Sequence, residues 1–324
     1  MIASAALIAG TIVMYNGRKI IRAMGHQDRP ALSRDVVDVP PTVEKRTIPE
    51  LDSNATELVW GPSMVLLVYQ MGIAHAICEQ NDYKTVLERV RLTGVSGGCA
   101  TAGYMLASLH GIGDMRYWYK YHGRRISEET SYNTSTRTMC RTSWYLGYEY
   151  WRICNILGMN VDCWTARYRA LATKPFSWSI QILNTFPNAQ CFADALISSA
   201  FIPFILSPYL YFYNASKSCA LIDGGFTFNF SKYNPTNDIV HFSLAHGKTC
   251  NRPERDGYKR IHYSIVGDTR FFRDNFGILR DPAKSDHMFE QGYKFGCANM
   301  QEIRKLLNLP DANNLPDANN LPDI

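Results

Sequence analysis

TGVSGGCA, residues 93 to 100, sets a serine in a frame of glycines: Gly94 two positions before Ser96, Gly97 directly after it and Gly98 two after. Its flanks decide what that frame means. RVRLTGV (89–95) predicts a short buried strand, and CATAGYMLASLHG (99–111), small and apolar throughout, predicts a helix. A strand, a tight turn with serine at its apex and a helix make the context of a nucleophile elbow. The glycines have a physical role there. The serine must adopt a crowded backbone conformation, which neighbours without a β-carbon relieve. The N–H of Gly97, at the helix N-terminus, points to where an oxyanion would form.

Outward from the elbow the pattern stays α/β. TELVW (56–60) predicts a first buried strand and MVLLVYQMGIAHAICEQ (64–80) a packed helix. ADALISSAFIPFILSP (193–208) predicts a small-residue helix ended by Pro203, and CALI (219–222) a short apolar strand that delivers Asp223 into Gly224 and Gly225. AFIPFILSPYLYFY (200–213) reads first as buried core and second as a membrane-dipping loop.

Composition narrows the classes. With 46% hydrophobic and 19% charged residues the 324-residue chain is globular, and a scattered net charge of +5 argues against a dedicated nucleic-acid binder. No zinc-finger, phosphate-loop or EF-hand spacing occurs. The nine cysteines are odd in number and include no Cys-x-x-Cys pair, which predicts buried free thiols in a reducing compartment. Asn54, Asn133, Asn214 and Asn229 begin N-x-S/T triplets.

MIASAALIAGTIVMYNG (1–17) carries no charged side chain and is followed by RKIIR. A secretory signal puts its positive charge before the apolar run, and here it follows. Residues 1–25 are therefore expected to be a membrane anchor with the main body in the cytosol, a buried or interfacial helix being the other reading. Residues 26–55, with Pro30, Pro40, Pro41 and Pro49, predict a linker. Residues 308–324 repeat a six-residue unit too polar to bury anything and predict a disordered tail.

A serine nucleophile needs a base. Asp223 with His241, His246 or His262 would satisfy the chain order of an α/β-hydrolase triad, although such enzymes usually place several strands before the elbow. A different arrangement needs no histidine. Gly-x-Ser-x-Gly at Ser96, then Ser199, Ala200, Phe201, Ile202 and Pro203 at a helix end, then Asp223-Gly224-Gly225, resembles the patatin-like phospholipase family. SIQILNTFPNAQCF (179–192) looks like the family's strand pair and MFEQGYKFGCANMQEIRKLL (288–307) like its closing helix. The resemblance covers roughly residues 56–307 and is poorest over 112–178.

That resemblance implies a three-layer α/β/α sandwich with a central, mostly parallel sheet. It implies lipid acyl-ester hydrolysis by a Ser96–Asp223 dyad, with no metal and no organic cofactor. The partners it implies are a phospholipid or other acyl-lipid substrate and a membrane surface, with no nucleic acid. Oxyanion donors would come from Gly97, Ser63 and Met64. The chain departs from the family in WGPSMVLLVYQMG (60–72): Gly61 alone remains of the glycine run, Leu66 stands at the arginine position, and Pro62 has no N–H to donate. A catalytically silent, lipid- or membrane-binding protein is the alternative raised by that loop. MRYWYKYHGRR (115–125) and SWYLGYEYWR (143–152) interleave cations and aromatics, as an interfacial lid or as an amphipathic helix over an aromatic core.

Overall fold

In a computed structural model the described residues are 42–63, 66–120, 162–203, 210–227, 238–244, 258–263 and 282–310. The expected anchor, Met64, Asn133, Asn229, His246, the 143–152 stretch and residues 311–324 lie outside them, as do the side chain of His262 and the end of the 115–125 stretch.

The elbow's flanks fold as their patterns predict. β1 (Thr56–Trp60) leads to α1 (Leu67–Gln80) and α2 (Tyr83–Arg89), and β2 (Val90–Val95) runs into α3 (Gly97–Leu109). There follow α4 (Asp162–Thr165), β3 (Tyr168–Lys174), β4 (Ser179–Leu183), α5 (Ala189–Ser199), β5 (Phe212–Asn214), β6 (Cys219–Asp223) and a 3-10 turn over Gly224–Phe226. β7 (Ile239–Leu244), β8 (Tyr258–Tyr263), α6 (Pro282–Ala298) and α7 (Met300–Leu306) complete the described elements.

The eight strands form one sheet in the order β5-β6-β3-β2-β1-β7-β8, with β4 also paired to β3. The run from β3 to β8 is parallel, and β4, β5 and β6 pair antiparallel. Both faces of the central strands are buried, as a parallel sheet requires. Leu58, Trp60, Leu92, Ala170 and Phe242 join the large core formed with α1, α3, α5 and α6. Val59, Val95, Leu171 and Ile239 form a separate cluster on the opposite face. The fold is thus mixed α/β with a mostly parallel central sheet, compatible with a three-layer α/β/α arrangement. Glu57, fully buried on that second face, keeps its charge paired through Arg169 at 3.0 Å and accepts from the Thr93 hydroxyl.

Three expectations are corrected. SIQILNTFPNAQCF is not a strand pair: it holds β4 alone, and Asn188 caps α5 by accepting from the Cys191 N–H at 3.0 Å. The strand that pairs with β4 is β3. α5 ends at Ser199, four residues short of Pro203, because the chain turns away to let the Phe201 carbonyl accept from the Asp223 N–H at 2.8 Å. The closing helix is two helices, α6 and α7, divided at Asn299.

Of the aromatic–cationic stretch, the described rings pack into the core. Trp118 stacks on Tyr104 at 5.1 Å and donates to the Ile112 carbonyl, and Tyr119 stacks on Phe289 at 4.2 Å. Arg116 lies over the Phe289 ring and pairs with Glu290. Phe201, Tyr211 and Phe212 are likewise buried, so the described ends of 200–213 are core as well. Asn214 is fully buried, donates to Ser198 and accepts from Ser216 and Lys217, which closes that triplet to modification in the folded chain. Among the described residues no helix is long and apolar enough to cross a membrane.

Candidate active site

β3 pairs with three strands, and the registers dictate how they share its two edges. Ala170 and Leu171 pair with both β2 and β4, so those two strands lie on opposite edges. Ala172 and Thr173 pair with both β4 and β6, so these also lie on opposite edges. β2 and β6 therefore occupy the same edge, end to end. The join falls between Leu171, partner of Val95, and Ala172, partner of Asp223. Ser96 leaves that point as β2 ends, and Asp223 arrives there as β6 ends. Two strands running head to head along one edge bring the serine and the carboxylate together.

The join is too tight for a side chain on its first glycine. A β-carbon on Gly224 would stand 2.1 Å from the Leu171 carbonyl oxygen and 3.0 Å from Val95 Cγ1. Gly98 is held as closely on the other side: a β-carbon there would meet the Trp60 carbonyl oxygen at 2.2 Å. The first turn of α3 is thereby pressed against the end of β1.

Ser96 has φ 56 and ψ −129, a left-handed-side conformation costing a non-glycine residue about 1–3 kcal/mol. Its backbone is braced on both sides. Its N–H donates to Ser199 Oγ at 3.0 Å, and its carbonyl accepts from the Cys99 N–H at 2.9 Å. The Ser199 hydroxyl donates in turn to the Leu171 carbonyl at 2.6 Å, tying the elbow to the strand join through the end of α5. The Cys99 thiol, buried and 2.9 Å from the same hydroxyl, has its pKa pushed up to about 12 by burial and stays protonated. The sequence contained Ser199 as the first residue of the helix-end motif, but no local signal marks a hydroxyl that will brace a turn 103 positions away.

Asp223 is buried, and burial pushes its pKa up to about 6 against the opposing pull of two donors, the Ser96 hydroxyl and the Gly225 N–H. The Gly225 N–H reaches Oδ1 at 2.7 Å. Oδ2 has no hydrogen-bond partner among the described residues. Hydrogen bonds of a catalytic pair often tighten only when substrate arrives. Thr173 fixes the backbone of Asp223 by donating to its carbonyl at 2.8 Å. The groups acting on Asp223 include no histidine among the described residues. His241 lies two strands from β2, its Nε2 2.5 Å from where a β-carbon on Gly61 would stand.

The altered loop sits beside this pair. The Gly61 N–H donates to the Phe242 carbonyl at 3.0 Å, and its carbonyl accepts from Gln70 Nε2 at 3.0 Å. The Pro62 ring lies 3.3 Å from where a β-carbon on Gly225 would stand, next to the Asp223 carboxylate. Ser63 is buried, and its hydroxyl makes no hydrogen bond among the described residues. Met64 lies outside them. Gly97, the first residue of α3, brings the positive end of the helix dipole to the elbow. Among the described residues no cluster of His, Cys, Asp and Glu is placed to hold a metal ion.

No family model and no curated protein matches the chain. Among solved structures it is similar to the heterodimeric ExoU-SpcU complex from the type III secretion system of Pseudomonas aeruginosa, with 14% identity and a TM-score of 0.34. That similarity covers 88% of this chain and 62% of the other, so the chain spans less than two thirds of that protein's length.

Proposed function

We propose that the protein is a serine-dependent hydrolase of lipid acyl esters, with Ser96 as nucleophile and Asp223 as its base. The observation that carries the reading is the join on β3: a strained elbow serine facing a buried carboxylate whose proton affinity is raised to about 6. An ordinary carboxylate, with a pKa near 4, accepts a proton poorly at neutral pH; one near 6 does so far better and is still ionised beforehand. The lipid class of substrate rests on the resemblance to patatin-like phospholipases.

In this mechanism the Ser96 Oγ forms a bond to the ester carbonyl carbon as its proton passes to Asp223. The carbonyl oxygen becomes an oxyanion held by the Gly97 N–H and by Ser63, since the Gly61 N–H is held by the Phe242 carbonyl and Pro62 has none. Collapse of that intermediate breaks the ester C–O bond, and the departing alkoxide takes the proton from Asp223. Water then attacks the acyl-serine, gives its proton to Asp223 and releases the fatty acid, and Ser96 recovers the proton. A fluorophosphonate probe is expected to label the protein at Ser96 and to leave Ser96→Ala unlabelled. Absence of labelling in the folded wild-type protein would overturn the assignment.

Pro62 favours a second reading, in which the same site binds lipid without turning it over. The missing N–H at this position removes one oxyanion donor, a loss worth up to about 3 kcal/mol of transition-state stabilisation. Pro62→Gly restores the donor and relieves the ring beside Gly225. The variant is expected to hydrolyse a short-chain ester roughly tenfold faster, equivalent to about 1.4 kcal/mol. A rate no higher than wild type would show that this donor is not what limits turnover.

A further inference from the structure

Of the five most exposed large apolar side chains among the described residues, three gather at one rim: Phe176 (52% exposed), Trp178 (50%) and Phe226 (47%). Exposed aromatics gathered on one edge mark an interaction site more often than they mark chance. The strand registers place this rim. Val95 is level with Leu171, so Ser96 is level with Ala172, and β3 runs on to Lys174 before the chain turns through residues 175–178 into β4. That turn stands roughly 10 Å beyond the level of Ser96, from the rise of a strand. β6 runs antiparallel beside it with Ile222 opposite Thr173, so the turn joining β5 and β6, which carries Lys217, projects past the same edge. The Thr227 and Thr173 hydroxyls, 2.7 Å apart, tie the segment that follows Asp223, and Phe226 within it, to this end of β3.

Trp178 has φ 47. A bulky residue at positive φ costs roughly 1–2 kcal/mol, and glycine or asparagine would hold such a turn without that cost. The chain keeps a tryptophan there with half its surface in water, which folding alone does not explain. The two hairpins carry charge of one sign. From 170 to 193 and again from 195 to 222 the sequence holds no Asp or Glu, while Lys174 and Lys217 lie within those stretches. Lys174 ends β3 and Lys217 lies in the β5–β6 turn, which places both lysines at this edge; burial raises the pKa of the nearby Cys219 thiol and both ammonium groups oppose that rise.

We infer that the β3–β4 and β5–β6 hairpins form an interfacial anchor that seats the Ser96–Asp223 end of the sheet on an anionic phospholipid bilayer. Phe176, Trp178 and Phe226 enter the headgroup zone, where a flat aromatic ring suits the boundary of water and acyl chain. Lys174 and Lys217 meet the lipid phosphates and anionic headgroups. The role given to this surface as the source of substrate rests on the hydrolase reading above; the docking itself does not need Ser96 to react.

The test uses the full chain carrying Ser96→Ala, so that the vesicles stay intact. Vesicles of phosphatidylcholine with phosphatidylglycerol are compared with the same vesicles bearing brominated acyl chains, which quench an indole that enters them. Because residues 1–25 are a separate apolar segment, binding alone would not locate the contact, whereas quenching does. Brominated vesicles are expected to quench tryptophan emission, and Trp178→Phe is expected to lose most of that quenching while still binding. Lys174→Gln combined with Lys217→Gln is expected to lower affinity for the phosphatidylglycerol vesicles about tenfold or more and to leave pure phosphatidylcholine unaffected. Equal quenching with and without Trp178, or unchanged dependence on phosphatidylglycerol in the double lysine variant, overturns the anchor. Probe labelling of Ser96 is a separate measurement, so either conclusion can fail while the other stands.

Discussion

Asp223→Asn is expected to lower short-chain ester turnover by about a thousandfold or more, the scale lost when a nucleophile is deprived of its base, and yet to make the protein more stable at neutral pH. Both effects come from one burial. The folded-state pKa of about 6 lies above the unfolded value of 3.8, so the fold disfavours the ionised carboxylate. Below about pH 4 the carboxyl is protonated folded or unfolded, and no penalty exists. As pH rises through about 6 the folded group ionises against its surroundings, and the penalty is complete above that, on the order of 3 kcal/mol. Asparagine never ionises. Thermal melts should therefore show Asp223→Asn a few degrees above wild type near pH 8 and level with it near pH 4. The wild-type kcat/KM should fall on an acid limb centred near pH 6 as the base takes up its proton. A variant that retains turnover, or an acid limb near pH 4, would remove Asp223 from the role of base.

What could be read from the sequence divides by distance along the chain. The elbow was legible because its parts are consecutive: a strand, glycines at 94, 97 and 98, and a small-residue helix state the geometry locally. The Asp-Gly-Gly strand end was legible for the same reason. The sharing of one β3 edge by β2 and β6 was not, since it is set by two separate pairings between residues about 76 and about 50 positions apart. Ser199 shows the limit most plainly. Nothing within α5 distinguishes it from Ser198, which donates back to the Asp194 carbonyl within the helix, while Ser199 turns to Ser96 and Leu171.

Aromatic content left two readings open for a related reason. MRYWYKYHGRR is the chain's most conspicuous mixture of rings and cations, but its described rings Trp118 and Tyr119 fill the core against Tyr104 and Phe289. KPFSWS (174–179) is shorter and plainer, and it is the stretch that leaves its rings in water. Periodicity identifies a ring's face only when the element is long. In a tight hairpin the turn conformation decides, and a tryptophan at positive φ gives no warning in the sequence.

Gly224→Ala is expected to reduce turnover by at least about a hundredfold, because a displacement near 1 Å at reacting groups has a cost of that order. The added β-carbon would stand 2.1 Å from the Leu171 carbonyl oxygen, a backbone atom inside the sheet that cannot turn aside as a side chain can. That oxygen already accepts from Ser199, whose hydroxyl holds the Ser96 N–H, so the strain divides between two movements. Either the end of β6 lifts and carries Asp223 from the serine, or β3 shifts and the brace on the elbow loosens. Both separate the dyad. The overpacking itself should destabilise the fold by about 1–3 kcal/mol, leaving it folded for assay at moderate temperature. Coupling provides the sharper measurement. If Gly224 acts by placing Asp223, then Gly224→Ala together with Asp223→Asn should turn over no more slowly than Asp223→Asn alone, since the second change removes the group that the first misplaces. Losses that multiply in the double variant would mean that Gly224 serves the site by some route other than Asp223, and that the head-to-head join does not govern the pair.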